Sequence, residues 1–462
     1  MRKHATLLLV LLCGFLAACW EKKETDEPAV LQDPVGHPTT GSEKPDDPAV
    51  PENPQQGNAG FEVQRSKLQR EERPEVPQGD QTQLAANNTT FALELYKSLA
   101  TKEGSLFFSP LSLTFALAMT YAGAKGETAT QMAGALRFTL PPARLHAALN
   151  LLDLSLRGAT VPEAGEARGF SLHFVNALWG QREYPFLAPF LDLLALHYGA
   201  GMHLVDFKNA TEAARQAINT WVLEQTERRI EELIPPDILV QTARLVLTNA
   251  VYFYGPWEEP FEKEATVAKP FHPLQGAAFD VPMMRNTKHY QYQRGDGYQA
   301  IELAYTGDPA CSMLVVMPDE GSFPAFEAEL TAERLTSILE GLSSNQVELE
   351  LPKFRLAGAT FSVKQQLEGL GMVLPFTTSA DFTAMTEAPP GLYIGDVLHK
   401  AFIAVDEAGT EAAAATAVIM LERSAMMPDE KIVLHVDRPF LFLIRERASG
   451  AILFLGRMLD PR

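Results

Sequence analysis

The sequence has few cysteines: three in 462 residues. Cys13 lies in an apolar run near the N-terminus, Cys19 follows that run, and Cys311 is the only cysteine in the rest of the chain. Cys13 would leave with an export signal and Cys19 would carry lipid, as argued below, so Cys311 is the only thiol left. A single thiol cannot form an intramolecular disulfide, and we therefore exclude a disulfide-stabilised scaffold. A chain of this length can instead bury a core that is large enough to fold without disulfides.

Long runs of Lys and Arg are also missing. The chain has 39 Lys and Arg against 58 Asp and Glu, which gives a formal net charge of −19. Nucleic acids and anionic membrane surfaces are bound chiefly through clustered cations. We therefore expect no nucleic-acid partner. An acidic protein would rather be steered towards cationic partners, in a way that salt screens.

Motifs of common enzyme classes are absent as well. There is no Gly-x-Ser-x-Gly or Ser-x-x-Lys pattern of a serine hydrolase. There is no His-Glu-x-x-His, Cys-x-x-Cys or Gly-x-x-x-x-Gly-Lys, which are typical of zinc sites, redox sites and phosphate loops. The ten histidines are scattered, and we interpret each as a surface or core residue rather than a ligand. We predict that the protein is not an enzyme and needs no cofactor.

The N-terminus carries an export signal. Arg2 and Lys3 precede an apolar run at residues 7–16, which is too short for a permanent membrane span. The run ends in Leu16-Ala17-Ala18-Cys19, which resembles the lipobox of bacterial lipoproteins. We predict that residues 1–18 are a lipoprotein signal peptide and that Cys19 carries lipid such as palmitate. The protein would then be anchored to the bacterial cell envelope, facing the periplasm or the exterior. A plain secretory signal with an unrelated cysteine is the alternative.

Residues 19–88 differ in composition from the rest of the chain. They are rich in Pro, Glu, Asp, Gln and Lys and have no apolar periodicity, so they cannot bury enough surface to offset the entropy of ordering. We predict an extended, disordered tether. A folded domain is expected at 89–462, where helical periodicity begins with Phe91, Leu95 and Leu99. Helical patterns dominate its first half and strand patterns its second, which predicts an α+β fold.

Small residues dominate the stretch 405–424. Its alanines favour a helix by propensity, but no apolar stripe of helical period would give that helix a face to bury. With period two, Thr410, Ala412, Ala414 and Thr416 fall on one face of a strand. Small side chains would let such a strand slide between two strands that are already paired. A flexible surface loop before a C-terminal hairpin is the alternative.

Several motifs in this order and spacing identify a family. They are Phe-Phe-Ser-Pro-Leu-Ser at 107–112, Tyr-Ala-Gly-Ala-Lys-Gly-Glu-Thr at 121–128, Leu-Thr-Asn-Ala-Val-Tyr-Phe at 247–253 with Gly255 and Trp257, Leu-Pro-Lys-Phe at 351–354, Gly-Met at 371–372, His-Lys-Ala at 399–401, the stretch 407–415, and Asp-Arg-Pro-Phe-Leu-Phe-Leu-Ile-Arg at 437–445. With them, residues 89–462 resemble the serpins along their whole length.

The resemblance implies a fold and a mechanism. The fold would have about nine helices around three β-sheets, with an exposed reactive-centre loop at 407–428. In serpins this loop presents a bait bond to a serine protease. After cleavage the loop inserts into the main sheet and traps the protease as a covalent acyl-enzyme. The resemblance therefore implies a suicide inhibitor, acting as a monomer.

The spacing usual in the family, counted from Glu407, places the bait bond at Arg423-Ser424. An Arg at this position is typical of inhibitors of trypsin-like proteases, whose specificity pocket has a carboxylate at its base. Two other cleavage sites remain open: after Met420 or Leu421 by a chymotrypsin- or elastase-like enzyme, and after Met426 or Met427.

The resemblance also assigns the residues that accompany insertion. The hinge comprises Glu407, Gly409, Thr410, Ala412, Ala413, Ala414 and Ala415. The shutter, a polar cluster beneath the centre of the sheet, comprises Ser109, Ser112, Asn249 and His399. Trp257 marks the breach, the point where insertion begins. The lysine that faces the hinge glutamate in animal serpins falls at Ala304, so we expect Glu407 to lack that ion pair.

A second function stays open. Some serpins are binding or carrier modules that do not inhibit, and others inhibit cysteine proteases. Non-inhibitory members are expected to have bulky residues or proline in the hinge. None occurs between Gly409 and Ala417, which favours an inhibitor.

Overall fold

The computed structural model describes residues 60–157, 171–389, 391–410 and 431–462, which lie in one compact unit. Helices dominate the first half of this unit and strands the second, so the expected α+β class is confirmed. The α-helices of the described residues are α1 (Gln78–Leu99), α2 (Pro110–Tyr121), α3 (Gly126–Ala135), α4 (Pro142–Leu156), α5 (Ala188–Tyr198), α6 (Thr211–Gln225), α7 (Phe323–Ala328), α8 (Ala332–Glu340) and α9 (Lys364–Gly369). Within the described ranges no helix combines the length and the apolar character that crossing a bilayer would need.

The strands fall into two hydrogen-bonded sheets. Those of the described residues are β1 (Glu62–Gln64), β2 (Leu106–Phe108), β3 (Ser171–Gln181), β4 (Met202–Val205), β5 (Leu245–Pro256), β6 (Val267–Phe271), β7 (Phe279–Gly295), β8 (Tyr298–Ala304), β9 (Cys311–Pro318), β10 (Ser343–Pro352), β11 (Phe354–Ala357), β12 (Phe361–Ser362), β13 (Val397–Val405), β14 (Gly409–Thr410), β15 (Ile432–His435), β16 (Phe440–Glu446) and β17 (Ile452–Met458). The eight-stranded sheet has the order β1-β4-β3-β5-β14-β13-β11, with β12 paired to β13.

The nine-stranded sheet has the order β15-β10-β7-β8-β9-β16-β17-β2, with β6 paired to β7. Two of the three expected sheets are joined here, because β7 is 17 residues long and pairs with β6, β10 and β8 along its length. The hairpin expected at the C-terminus is present as β16 and β17.

Helix α2 lies in the core beneath the eight-stranded sheet. Its first residue is Pro110, whose fixed φ suits the first turn of a helix. The hydroxyl of Ser109 caps the helix by accepting a hydrogen bond from the backbone N–H of Ser112 at 3.2 Å. All of its residues except Tyr121 are buried, as the continuous apolar run predicts. The helix therefore presents Ser109 and Ser112 to the centre of the sheet.

Helix α6 covers the opposite face of the same sheet. Its apolar residues Ala214, Ile218 and Val222 form one cluster with residues of β3, with Val246 and Ala250 of β5, and with Leu398 of β13. Such burial is the main favourable contribution to the packing of an amphipathic helix. The helix packs mainly against β3, and its cluster continues to β5 and β13, which are neighbours at the centre of the sheet.

The folded unit begins earlier than the predicted boundary at residue 88. Strand β1 pairs antiparallel with β4, and α1 begins at Gln78. Residues 60–77, here called the strap, run from β1 over α5 to the start of α1. Arg70 anchors the strap by donating to Asn150 at 2.8 Å and to Asp153 at 2.6 Å. The boundary was wrong because a segment that docks through individual polar contacts has no apolar periodicity to reveal it.

Candidate functional site at the centre of the eight-stranded sheet

The site is the junction of β5 and β13. These strands pair directly and in parallel over five Cα pairs, from Leu247 with Val397 to Val251 with Ala401. Beyond this stretch they diverge, and β14 lies between them: Thr410 pairs with Val405 of β13 and with Gly255 of β5. The sheet is thus closed along one part of the junction and already holds two residues of the following segment in the other.

Gly409 and Thr410 fit this gap closely. Gly409 has φ +156°, and a Cβ there would collide with the carbonyl oxygen of Gly255. Only glycine allows this approach of two backbones. Thr410 is fully buried, and its hydroxyl shares a hydrogen bond of 2.7 Å with the phenol of Tyr305. A long or charged side chain at residue 410 would have no room here.

Trp257 holds the turn that leads into β14. Its indole N–H donates to the carbonyl of Asp406 at 3.0 Å, and its backbone N–H donates to the carbonyl of Ala408 at 3.0 Å. The indole stacks on Tyr305 with ring centroids 4.5 Å apart. Since Tyr305 also contacts Thr410, the two aromatic rings fix the start of the segment from one side. The structure therefore places Trp257 at the mouth of the junction.

Glu407 is paired, contrary to the expectation from the sequence. Its carboxylate accepts from Lys353 Nζ at 2.7 Å and from Thr266 Oγ1 at 2.7 Å. The expectation that Ala304 leaves Glu407 without a lysine was wrong, because the cation comes from the turn between β10 and β11. Burial acts to raise the pKa of Glu407, but the hydrogen bonds from Lys353 and Thr266 outweigh it and hold the pKa below its usual value.

The neighbouring carboxyl behaves differently. Burial raises the pKa of Asp406, although the backbone N–H groups of Ala408 and Gly409 donate to it. These two bonds form an Asp-initiated turn that reverses the chain between β13 and β14. Glu407 and Asp406 together anchor the point at which the segment leaves β13.

A buried hydrogen-bonded cluster lies below, where β5 and β13 are paired. Ser109, Ser112, Asn249 and His399 are all fully buried. The backbone N–H of Ser109 donates to His399 Nε2 at 3.1 Å, so this nitrogen carries no proton and Nδ1–H donates to the Asn249 carbonyl oxygen. The Asn249 amide in turn donates to Ser112 Oγ at 2.6 Å. Burial lowers the pKa of His399 to about 3, which keeps the ring neutral, and the two hydrogen bonds select the tautomer.

The cluster has a member that the sequence did not reveal. Asn176 of β3 accepts hydrogen bonds from Asn249 Nδ2 at 2.5 Å and from Ser112 Oγ at 3.1 Å. It is the Cα partner of Asn249, and Asn249 is the Cα partner of His399. Three adjacent strands and α2 are therefore joined by one network. The strand register is what identifies Asn176 as a member of the cluster. The one hint in the sequence is an Asn within a strand, where this residue type is disfavoured.

The structure does not describe the remaining residues that the sequence predicted. Ala412, Ala413, Ala414, Ala415, Arg423, Ser424 and Cys19 lie outside the described residues. In the part of the chain that is described, no group of His, Cys, Asp and Glu has the arrangement of a metal site. The site is therefore a junction between two strands that is paired along one part and holds the two residues of β14 in the other.

Comparison with known proteins identifies the family. The family model of the serpins, described as serine protease inhibitors, matches residues 86–461. The chain belongs to the serpin family. The leukocyte elastase inhibitor of Sus scrofa is 38% identical over 394 residues, which cover 82% of this chain and 100% of that protein.

Solved serpin structures share the fold. The native state of tengpin, a thermophilic serpin, matches with a TM-score of 0.73 and 27% identity, over 86% of this chain and 97% of that chain. The complex of thyroxine-binding globulin with thyroxine matches with a TM-score of 0.71 and 29% identity, over 82% and 99% of the two chains. These matches confirm the serpin fold. The relatives include protease inhibitors, and serpins in general are inhibitors rather than enzymes.

We predict that the hinge depends on the Lys353–Glu407 pair. Lys353→Met leaves the buried Glu407 carboxylate without its cation, so the free energy of unfolding should fall by about 1–3 kcal/mol. A thermal or urea denaturation series measures the loss. The matched control is Lys288→Met, whose ammonium pairs with the half-exposed Glu259 at 2.8 Å and should contribute less than about 1 kcal/mol.

A double-mutant cycle identifies the partner. Lys353→Met should cost much less in a chain that also carries Glu407→Gln, because both changes remove the same pair. Additive losses from the two changes would contradict the pairing. Ala304→Lys should leave the stability of the hinge unchanged.

Proposed function

We propose that this protein inhibits trypsin-like serine proteases by trapping the acyl-enzyme when its cleaved loop inserts between β5 and β13. The observation that carries the proposal is the position of β14. Gly409 and Thr410 already pair with β5, and Thr410 pairs with β13, so the segment that follows them would enter the gap in register on insertion. Arg423-Ser424 is the proposed bait bond, and residues 407–428 are the proposed reactive-centre loop.

The energetics of insertion favour this reading. Residues 409–423 would extend roughly 50 Å as a strand at about 3.3 Å per residue. Each backbone hydrogen bond gained contributes roughly 0.5–1.5 kcal/mol net. A new strand at the centre of the sheet gains bonds on both sides, so the step can be strongly favourable. It must first separate the five Cα pairs between β5 and β13 and disturb the His399 cluster, which supplies the barrier.

Two alternatives have support of their own. Thyroxine-binding globulin is a serpin that binds a small molecule, so a carrier without inhibitory activity is compatible with the fold. Leukocyte elastase inhibitor is named for an elastase, and cleavage after Met420 or Leu421 would suit an enzyme of that kind. The close fit of Gly409 and Thr410 between two strands favours an inhibitor over a carrier, because a carrier does not need a segment that can insert.

The first experiment mixes the purified full chain with trypsin. We predict a covalent complex that survives SDS and a released C-terminal peptide that begins at Ser424. Cleavage at this bond without a complex would contradict inhibition while leaving the site intact. In parallel reactions with chymotrypsin and elastase, a stable complex with a released peptide that begins at Leu421, Glu422, Met427 or Pro428 would move the bait bond to one of the alternative positions.

Thr410→Arg tests the mechanism in the same assay. The cation cannot enter the fully buried position of Thr410, so the variant should be cleaved at an unchanged rate and form at least tenfold less complex. Thr101→Arg is the matched control: Thr101 is exposed at the end of α1, and its substitution should leave the yield of complex unchanged. Equal yields from the two variants would show that insertion is not the mechanism.

We infer that the inhibitor is exported and held at the cell envelope by lipid on Cys19, after removal of residues 1–18. Residues 19–59 would then separate the folded unit from the membrane. Labelling of expressing bacteria with radioactive palmitate should mark the wild-type chain and leave Cys19→Ser unlabelled and released from the membrane fraction. Equal membrane retention of Cys19→Ser would contradict the anchor.

A further inference from the structure

The strap precedes the residues that the serpin family model matches. It ends before residue 86, where the serpin match begins, yet it contacts β4, α4, α5 and α6. Ser66 Oγ donates to Asp192 of α5 at 2.5 Å, and the backbone N–H of Glu71 donates to the carbonyl of Leu196 at 2.9 Å. Gly201 makes room for the strap, because a Cβ there would collide with Arg65. The strap is thus held by specific contacts across one edge of the eight-stranded sheet.

One end of the strap rests on a buried histidine. Phe61 packs on His203, with ring centroids 5.2 Å apart, and Val63 is the Cα partner of His203 in the β1–β4 pair. His203 is 7% exposed and also contacts the indoles of Trp179 and Trp221. Among the described residues, none forms a hydrogen bond with the buried Nδ1 of His203. The pocket under Phe61 is therefore built for a neutral imidazole.

The other end rests on a histidine pair. Beside Arg70, the rings of His197 and His146 stack with centroids 6.0 Å apart. The buried Nδ1 of His197 has no hydrogen-bond partner among the residues that the structure describes. His146 Nδ1 is bonded to the Tyr198 hydroxyl at 2.6 Å. Both anchor points of the strap thus cover imidazoles that a proton would charge.

The charged neighbours decide what a proton would do. The strap places Arg65 near His203, and the carboxylate of Glu62, which could compensate, pairs instead with Arg182 at 3.1 Å. Burial and then Arg65 lower the pKa of His203 to about 4. Trp179 of β3 and Trp221 of α6, which pack against His203, carry no charge. A proton on His203 would therefore repel the strap.

The same balance holds under Arg70. Burial and then Arg70 lower the pKa of His197, while Glu71 opposes them. Burial and then His197 lower the pKa of His146 to about 3. On α4, Asp153 is already paired with Arg70 and Arg157. Tyr121 of α2 and Tyr198 of α5, which contact His146, are uncharged phenols.

We propose that the strap is an acid-released latch, docked while His197 and His203 are neutral and freed from the sheet edge when both take up protons. Release exposes the outer backbone edge of Met202, His203 and Leu204 and uncovers Trp179 and Trp221. The eight-stranded sheet would then lose β1, its edge strand next to β4.

The sign follows from proton linkage. A histidine whose pKa is lowered in the docked state binds protons more readily after release. Docking is therefore at full strength above about pH 6.5, the value for a free histidine, and weakens as the pH falls towards 4. A histidine with these two pKa values would make release roughly 30-fold more favourable at pH 5.0 than at pH 7.5.

Hydrogen–deuterium exchange on the full chain tests the latch. Protection factors, corrected for the intrinsic effect of pH, are compared at pH 7.5 and pH 5.0 for peptides spanning 61–72 and 201–206. We expect protection of both to fall at least tenfold at pH 5.0, while peptides from β3 and β5 stay protected. Unchanged protection of the strap at pH 5.0 would overturn the proposal. A parallel loss in β3 and β5 would mean global unfolding and would overturn it too.

Variants assign the effect to the histidines. A double variant, His197→Gln with His203→Phe, removes both titrating groups and keeps an aromatic ring under Phe61, so its strap should stay protected at pH 5.0. If that variant does not fold, as judged by β5 protection at pH 7.5, His203→Gln alone should reduce the acid response about tenfold or more. His289→Gln is the matched control, since His289 is exposed on β7. A wild-type acid response in the folded double variant would overturn the assignment.

Discussion

The direct pairing of β5 with β13 is the constraint on which the rest of the structure depends. Five parallel Cα pairs close the sheet at its centre, and two residues of β14 already occupy the gap beyond them. If the loop inserts as proposed, a new strand would enter between β5 and β13 and add a second set of backbone hydrogen bonds at the centre of the sheet. In the proposed mechanism the native state is therefore held short of its most extensively paired state, and the mechanism depends on how the five β5–β13 pairs are kept closed. Helix α6 packs on β3 and shares its apolar cluster with β5 and β13 on one face, and α2 packs against β3 and β5 on the other.

The side chains at the junction divide this work. His399, Asn249, Asn176 and Ser112 form one hydrogen-bonded network that joins three strands to α2. Parting β5 from β13 breaks the buried Asn249–His399 bond together with the backbone pairing of the two strands. At the mouth, Trp257 and the Lys353–Glu407 pair keep β14 in register without filling the gap. In the proposed mechanism the His399 network contributes to the barrier against insertion, and the contacts of Trp257 and of the Lys353–Glu407 pair set where insertion starts. A polar network suits this purpose because unsatisfied buried groups are costly, which makes partial opening unfavourable.

The sequence predicted the fold class and the family, and it named Ser109, Ser112, Asn249, His399 and Trp257, which the structure brings to one junction. It missed what depends on three-dimensional register. Asn176 reaches the network only because β3 pairs with β5, and Lys353 reaches Glu407 from a turn that lies far from it in sequence. The strap was mistaken for part of a tether, because polar anchoring through Arg70 leaves no periodic signal. The boundary at residue 88 was wrong because it was drawn from composition. Composition shows whether a segment can form an apolar core of its own, but it does not show whether the segment can bind to the core of a neighbouring domain.

The most direct test of the account is to lock the junction and then unlock it in the same molecule. Ala250 and Lys400 are Cα partners across β5 and β13, so Ala250→Cys with Lys400→Cys allows a disulfide between adjacent strands. The measurement is the yield of SDS-stable complex with trypsin, together with loop cleavage, before and after reduction. We predict that the oxidised form is cleaved without forming a complex and that reduction restores the complex. Equal yields of complex from the oxidised and reduced forms would contradict it.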